Sequence, residues 1–88
     1  MICPICNKKI PFLFDCKSDH HMTAYDEDDG SYSVYDYENK IHLFSTKNKD
    51  SFICTVTIDN NIIFKSKDYT FNNLGDLYKR ILNNILFT

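Results

Sequence analysis

The chain has 88 residues, of which 43% are hydrophobic and 15% aromatic, and carries a formal net charge of −2. That composition is too rich in Phe, Tyr and Ile for a disordered chain, and the charge argues against a general binder of nucleic acid or membrane surface. This length fits a single domain with a marginal core, the size class in which a metal or disulfides often reinforce the fold. No stretch has the length and apolarity of a membrane span, and MICPICNKK turns polar too soon for a signal peptide. The expected location is cytoplasmic, meaning the host cytoplasm or the virion for a viral protein. In that compartment cysteines serve more often as metal ligands or free thiols than as disulfides. Asn, Lys, Asp, Ile, Tyr and Phe abound beside one Ala, one Arg and no Trp. This usage matches AT-rich codons and points to a virus or an AT-rich bacterium.

The first 24 residues read as a metal-binding head. Cys3-Pro4-Ile5-Cys6 places two thiols on one tight turn, Cys16 follows after nine residues, and His20 after three more. The pattern C-x2-C-x9-C-x3-H supplies three thiolates and an imidazole in two close pairs, which suits tetrahedral zinc. The intervening KKIPFLFD is long enough to run out from one pair and return to the other. If Cys16 and His20 lie one helical turn apart they share a side, so His20 is preferred as fourth ligand. His21 is the alternative, and Cys54 and His42 rank lower. A redox Cys-x-x-Cys would need a strand before it and a long helix after it. Only two residues precede Cys3, and Pro11 interrupts the segment after Cys6. Four protein ligands close the site, and no His-x-Glu precedes a Cys-x-x-Cys pair, so the zinc is expected to be structural and no catalytic residue is assigned.

Residues 25–88 read as an antiparallel sheet followed by a helix. HHMTAY can form a strand, and the acidic turn DEDDG (Asp26–Gly30) follows it. As a calcium loop this turn fails, because Gly30 and Tyr37 occupy the fifth and twelfth ligand positions. SYSVYDY (Ser31–Tyr37) and KIHLFS (Lys40–Ser45) read as strands joined by a Glu38-Asn39 turn, and TKNKD as a polar loop. SFICTVTID (Ser51–Asp59) alternates most clearly, with Phe52, Cys54, Val56 and Ile58 on one face. A three-residue loop, Asp59-Asn60-Asn61, would pair Ile58 with Ile62 and Val56 with Phe64, with Asn61 left-handed. From an Asn73 N-cap, Leu74, Leu77, Tyr78, Ile81, Leu82, Ile85 and Leu86 form one helical stripe, and the Phe52–Ile58 face is its expected cover. The expected fold is therefore α+β: a zinc ribbon or knuckle, a small antiparallel meander, and a C-terminal amphipathic helix on one sheet face.

CPIC, the Cys–His pair, the Tyr-rich strands and the closing RILNNILFT together resemble small zinc-ribbon-headed proteins of phages and other viruses. The resemblance implies zinc ligation by Cys3, Cys6, Cys16 and a histidine, and an accessory viral role without a defined activity. The Cys–His second pair departs from a standard ribbon.

Charge is segregated along the chain. Between Asp15 and Glu38 eight acids stand against Lys17, a net −7, whereas residues 39–88 carry seven bases against four acids, a net +3. Tyrosines interleave with the acids. Asp26, Glu27, Asp28 and Asp29 are expected to steer a basic partner protein, with Tyr32, Tyr35 or Tyr37 as anchors. The function expected from the sequence is a non-enzymatic, zinc-stabilised binding or adaptor protein. A nucleic-acid-binding zinc ribbon and a structural component of a virus particle are the alternatives.

Overall fold

The computed structural model describes residues 2–9 and 15–86. Residues 10–14 of the excursion between ligand pairs, and the side chains of Ile85 and Leu86 in the helical stripe, lie outside the described residues. Six strands run as an antiparallel meander: β1 (Asp15–Lys17), β2 (His21–Tyr25), β3 (Tyr32–Asp36), β4 (Ile41–Asn48), β5 (Ser51–Ile58) and β6 (Asn61–Ser66). They form one sheet whose spatial order is the chain order, as short connections dictate. One 3-10 turn, Phe71–Asn73, leads into helix α1, Leu74–Leu86. The expected α+β architecture is the one observed.

Cross-strand partners share a sheet face, so the register sorts the side chains into two sets. Thr23, Val34, Leu43, Val56 and Phe64 form one row across β2 to β6. The row His21–Asp36–Ile41–Ile58 flanks it on the same face. The Val34, Leu43, Val56 and Cys54 side chains share one buried cluster with Phe71, Leu74, Leu77, Tyr78 and Ile81 from the C-terminal segment, and Cys3 belongs to the same cluster. The helix thus covers the face that alternation in β5 marked out. The opposite face carries Met22, Tyr35, His42, Thr57 and Ile62 in one row and Ala24, Ser33, Phe44, Thr55 and Lys65 in the next.

Four connections differ from expectation. The β5–β6 turn has two residues, Asp59 and Asn60, both at positive φ (52° and 66°), and closes on an Ile58–Asn61 pair. Two left-handed residues give a turn whose twist matches the strands it joins. That register alone would set Phe64 against Thr55, but a bulge at Ile63 restores the expected Val56–Phe64 pair. Ile62 consequently faces Thr57 rather than Ile58. Thr46–Asn48 extend β4, leaving Lys49-Asp50 as the turn, with Lys49 at φ 60°. Between β3 and β4 the left-handed residue is Lys40, φ 57°, and the Asp36 carboxylate accepts the backbone N–H groups of Glu38 (3.0 Å) and Asn39 (3.2 Å). The helical segment starts three residues early: Thr70 is the N-cap, and Asn73 Oδ1 accepts the Thr70 N–H at 2.8 Å.

Asp36 ties the sheet to the helix. It is 3% exposed and accepts the Tyr78 hydroxyl at 2.6 Å and the Asn39 amide at 2.9 Å. Burial opposes its charge, but these donors outweigh burial and hold the carboxyl below its ordinary pKa. A lowered carboxyl pKa contributes stability that is present above the unfolded value, about 3.9, and is lost as pH falls through the folded value. Tyr78→Phe should therefore cost about 1.5–3 kcal/mol at neutral pH. The gap to wild type should close in acid below about pH 4. Urea unfolding of both proteins across that range checks this, and a gap independent of pH would mean that Asp36 is not the ionised acceptor.

Candidate metal centre

The two halves of the site come from two turns. In the first, the Asn7 N–H bonds to the Cys3 carbonyl and the Cys3 N–H to the Lys8 carbonyl, each at 2.9 Å. Asn7 is left-handed (φ 60°), a conformation that Asn tolerates. An isolated bridge between Ile2 and Lys9 closes the knuckle. In the second, β1 and β2 form a hairpin in which Cys16 opposes Thr23 and Lys17 opposes Met22. Residues two apart on a strand share a face, so His21 lies on the same face as Thr23 and Cys16.

The ligand atoms of Cys3, Cys6, Cys16 and His21 all lie within 4.8 Å of one another. Bonds of about 2.3 Å to sulfur set tetrahedral ligand atoms about 3.8 Å apart. Cys6 Sγ and Cys16 Sγ are 3.8 Å apart, and Cys16 Sγ and His21 Nε2 3.3 Å. The donor set therefore fits a tetrahedral ion, with Nε2 as the ligating nitrogen. Ser18 Oγ, 3.0 Å from Nδ1, holds the other side of the His21 ring. Partners of this kind fix the tautomer and orientation of a ligating imidazole. Thr23 Oγ1 donates to Cys3 Sγ at 3.7 Å.

The structure brings His21, not His20, to the thiols. His20 occupies the hairpin turn, its side chain 68% exposed, with Nδ1 3.3 Å from the Glu38 carboxylate. His21 is 6% exposed. A helical turn from Cys16 would have favoured His20, but strand alternation selects His21. Cys54 is buried in the core, away from the cluster, and His42 lies on the opposite sheet face.

The electrostatics treat two of the thiols in opposite ways. Burial works against ionising Cys6, but backbone hydrogen bonding at Lys8, hydrogen bonds from Cys3 and Cys16 and the Lys8 charge bring its thiol below the ordinary value. Burial, followed by interaction with Cys6 and Cys3, pushes Cys16 up to about 12. The protein's own donors thus favour one thiolate while opposing its neighbour. A divalent ion reverses that balance and deprotonates the thiols it binds.

The sequence pattern did not single out Ser18, Thr23 or Asn7. The signal for the first two was the period of two through Cys16–Ser18 and His21–Thr23 across a two-residue turn.

The expected partner residues do not form one patch. Asp26, Glu27, Asp28 and Asp29 are exposed in the β2–β3 turn. Two of them also build that turn: Asp26 accepts the Asp28 N–H at 2.9 Å, and Asp29 the Ser31 N–H at 2.8 Å. Tyr32 is 6% exposed and donates its hydroxyl to the Tyr69 carbonyl, so it belongs to the interior. The Tyr35 and Tyr37 rings meet at a tilt, with centroids 5.0 Å apart, but at the far end of β3 from the acids. The chain matches no protein-family model, no curated protein and no solved structure.

Substitutions should separate the two histidines. His21→Ala should lose the metal, His20→Ala should keep it, and Cys54→Ala should keep it with a modest loss of stability. Cobalt substitution reads this directly, through the thiolate charge-transfer bands and metal stoichiometry. Loss of metal in the His20 variant and retention in the His21 variant would reverse the ligand assignment.

Proposed function

We propose that this chain is a zinc-stabilised, non-enzymatic protein-binding module, an accessory viral protein of the kind its zinc-ribbon-like head resembles. One observation carries the reading: the cysteine–histidine cluster and a series of aromatic rings lie on opposite faces of the sheet. The helix-covered face holds the four-ligand cluster, where three sulfurs and a nitrogen complete a tetrahedron and leave no position for a substrate. Three cysteines and a histidine favour zinc among the divalent ions of a cell. The other face carries Tyr37, Tyr35, His42 and Phe44 as a continuous series of ring contacts, with centroids 4.4–5.2 Å apart. Tyrosine-rich surfaces of this kind bind proteins at low entropic cost.

An open antiparallel face bearing aromatic rings also resembles a stacking platform for single-stranded nucleic acid. The net charge of −2 and the single arginine weigh against that reading.

Purified in metal-free buffer, the protein should carry close to one equivalent of zinc, and chelation should unfold it. A structural zinc supplies an apparent contribution of about 10–16 kcal/mol. Affinity purification from the native source should yield a stoichiometric protein partner that is lost when Tyr35→Ala and Tyr37→Ala are combined. A folded zinc-free chain would overturn the structural role. Salt-sensitive recovery of nucleic acid alone would overturn the protein-binding role.

A further inference from the structure

At the acidic end of the open face lies a cleft of about 650 Å³, lined by Ala24, Asp26, Ser31, Ser33, His42 and Phe44 among others. Its shape follows from residue size. Ala24 and Ser33 oppose each other on β2 and β3, and Ser33 opposes Phe44 on β4. Two small side chains thus form a trough beside the larger Phe44 and His42 rings, which are in contact at 4.4 Å. The β2–β3 turn borders the trough, with Asp26 and Ser31 in its lining.

We infer that this groove receives an arginine or lysine side chain from an extended basic segment of a partner protein. The inference rests on the protein-binding reading above and names the chemistry of the partner. Both side chains combine an apolar stem with a cationic head. The stem suits the Ala24–Ser33 trough, where a cation can also lie against aromatic rings. The head reaches the carboxylates of the turn. Asp26 uses Oδ1 to bind the Asp28 N–H, which leaves its second oxygen for a ligand. Lys47 acts electrostatically on Asp29. Set against it, the four acids of the turn leave three in excess. His42 adds no opposing charge near neutral pH: burial lowers its pKa, and Ser33 Oγ sits 2.9 Å from its Nε2. The groove therefore joins an apolar trough, ring faces and surplus negative charge.

The probes are hexa-arginine and hexaglutamate peptides, titrated into the zinc-loaded, nitrogen-15-labelled chain at low ionic strength. Hexa-arginine should shift the amides of Ala24, Ser33, His42 and Phe44, and hexaglutamate should shift none of them. Ala24→Ile fills the trough with a side chain that suits a strand and should weaken hexa-arginine binding about tenfold, as loss of one interface anchor does. Asp26→Asn keeps the oxygen that accepts the Asp28 N–H and should weaken binding while flattening its salt dependence. Unchanged affinity in a well-folded Ala24→Ile variant would mean that the peptide only adsorbs to the acidic turn, and the groove assignment falls. Stronger shifts with oligothymidylate than with hexa-arginine would replace a basic segment by single-stranded nucleic acid. No shift with hexa-arginine also overturns the groove. In that case the protein-binding reading still stands if the native partner is recovered with wild type and lost with the Tyr35 and Tyr37 variant.

Discussion

Cys3 belongs to two assemblies at once. Its sulfur is one of four atoms clustered as a metal site, and its side chain is fully buried in the same core as Val56, Leu74 and Tyr78. The knuckle is therefore not a separate appendage. Pro4 lies within about 4 Å of where a Cβ on Gly75 would sit, so the first turn of α1 packs against the Cys3–Cys6 turn. A chain of this length buries too little apolar surface to be safely stable. With the cluster joined to the core, the free energy of binding a metal there would act as folding free energy for the whole domain. Asp36 reinforces the join, because it opposes the ligand His21 in the sheet and accepts the Tyr78 hydroxyl from the helix.

The layered arrangement follows from that junction. One helix is too narrow to cover six strands, and α1 is presented with a sheet whose first two strands carry Cys16, His21 and Thr23 on the covered side. The clustered cysteines lie in the core or against it, so an ion there would bind titratable groups that are otherwise buried beside apolar side chains. Ser18 and Thr23 act in support: Ser18 holds the Nδ1 side of the His21 ring, and Thr23 donates to the Cys3 sulfur itself. Among the described residues no buried side-chain nitrogen or oxygen lacks a partner, as a small core containing polar groups requires.

Elements defined by a strong period were legible in the sequence. Strand β5 with Cys54 and Val56 facing the core, the helix with its apolar stripe and the Cys3–Cys6–Cys16 set all reappear in the structure, although Thr55 and Thr57 are buried as well. What escaped was local geometry decided by tertiary register. Cys16 has a histidine four residues on, which suits a helical turn, and another five residues on, which suits a hairpin, and only pairing of β1 with β2 selects His21. The β5–β6 turn shows the same ambiguity. Both a three-residue loop and a two-residue loop followed by a bulge reach the Val56–Phe64 pair, and chain length alone does not separate them. The acidic tyrosine stretch looked continuous in sequence. In the fold a strand of alternating faces divides it, which sends Tyr32 inward and Tyr35 outward.

The sheet edges bear on where a partner of the proposed kind could bind. Among the described residues β1 has three, too few to template a long added strand. β6 is longer and exposes Ile62, Ile63 and Phe64 at 60%, 51% and 39%, which would ordinarily invite pairing. Yet its bulge falls at Ile63, in the middle of that apolar run, and Lys65 and Lys67 follow at once. A bulge breaks the even spacing of outward backbone groups, and a charged edge resists a neighbouring strand. Both edges are thus poor sites for sheet extension. The covered face is occupied by the helix and the knuckle. Among the described residues that leaves the other face, with its rings, its trough of small residues and its acidic border, and a partner docking there would meet side chains rather than pair with backbone.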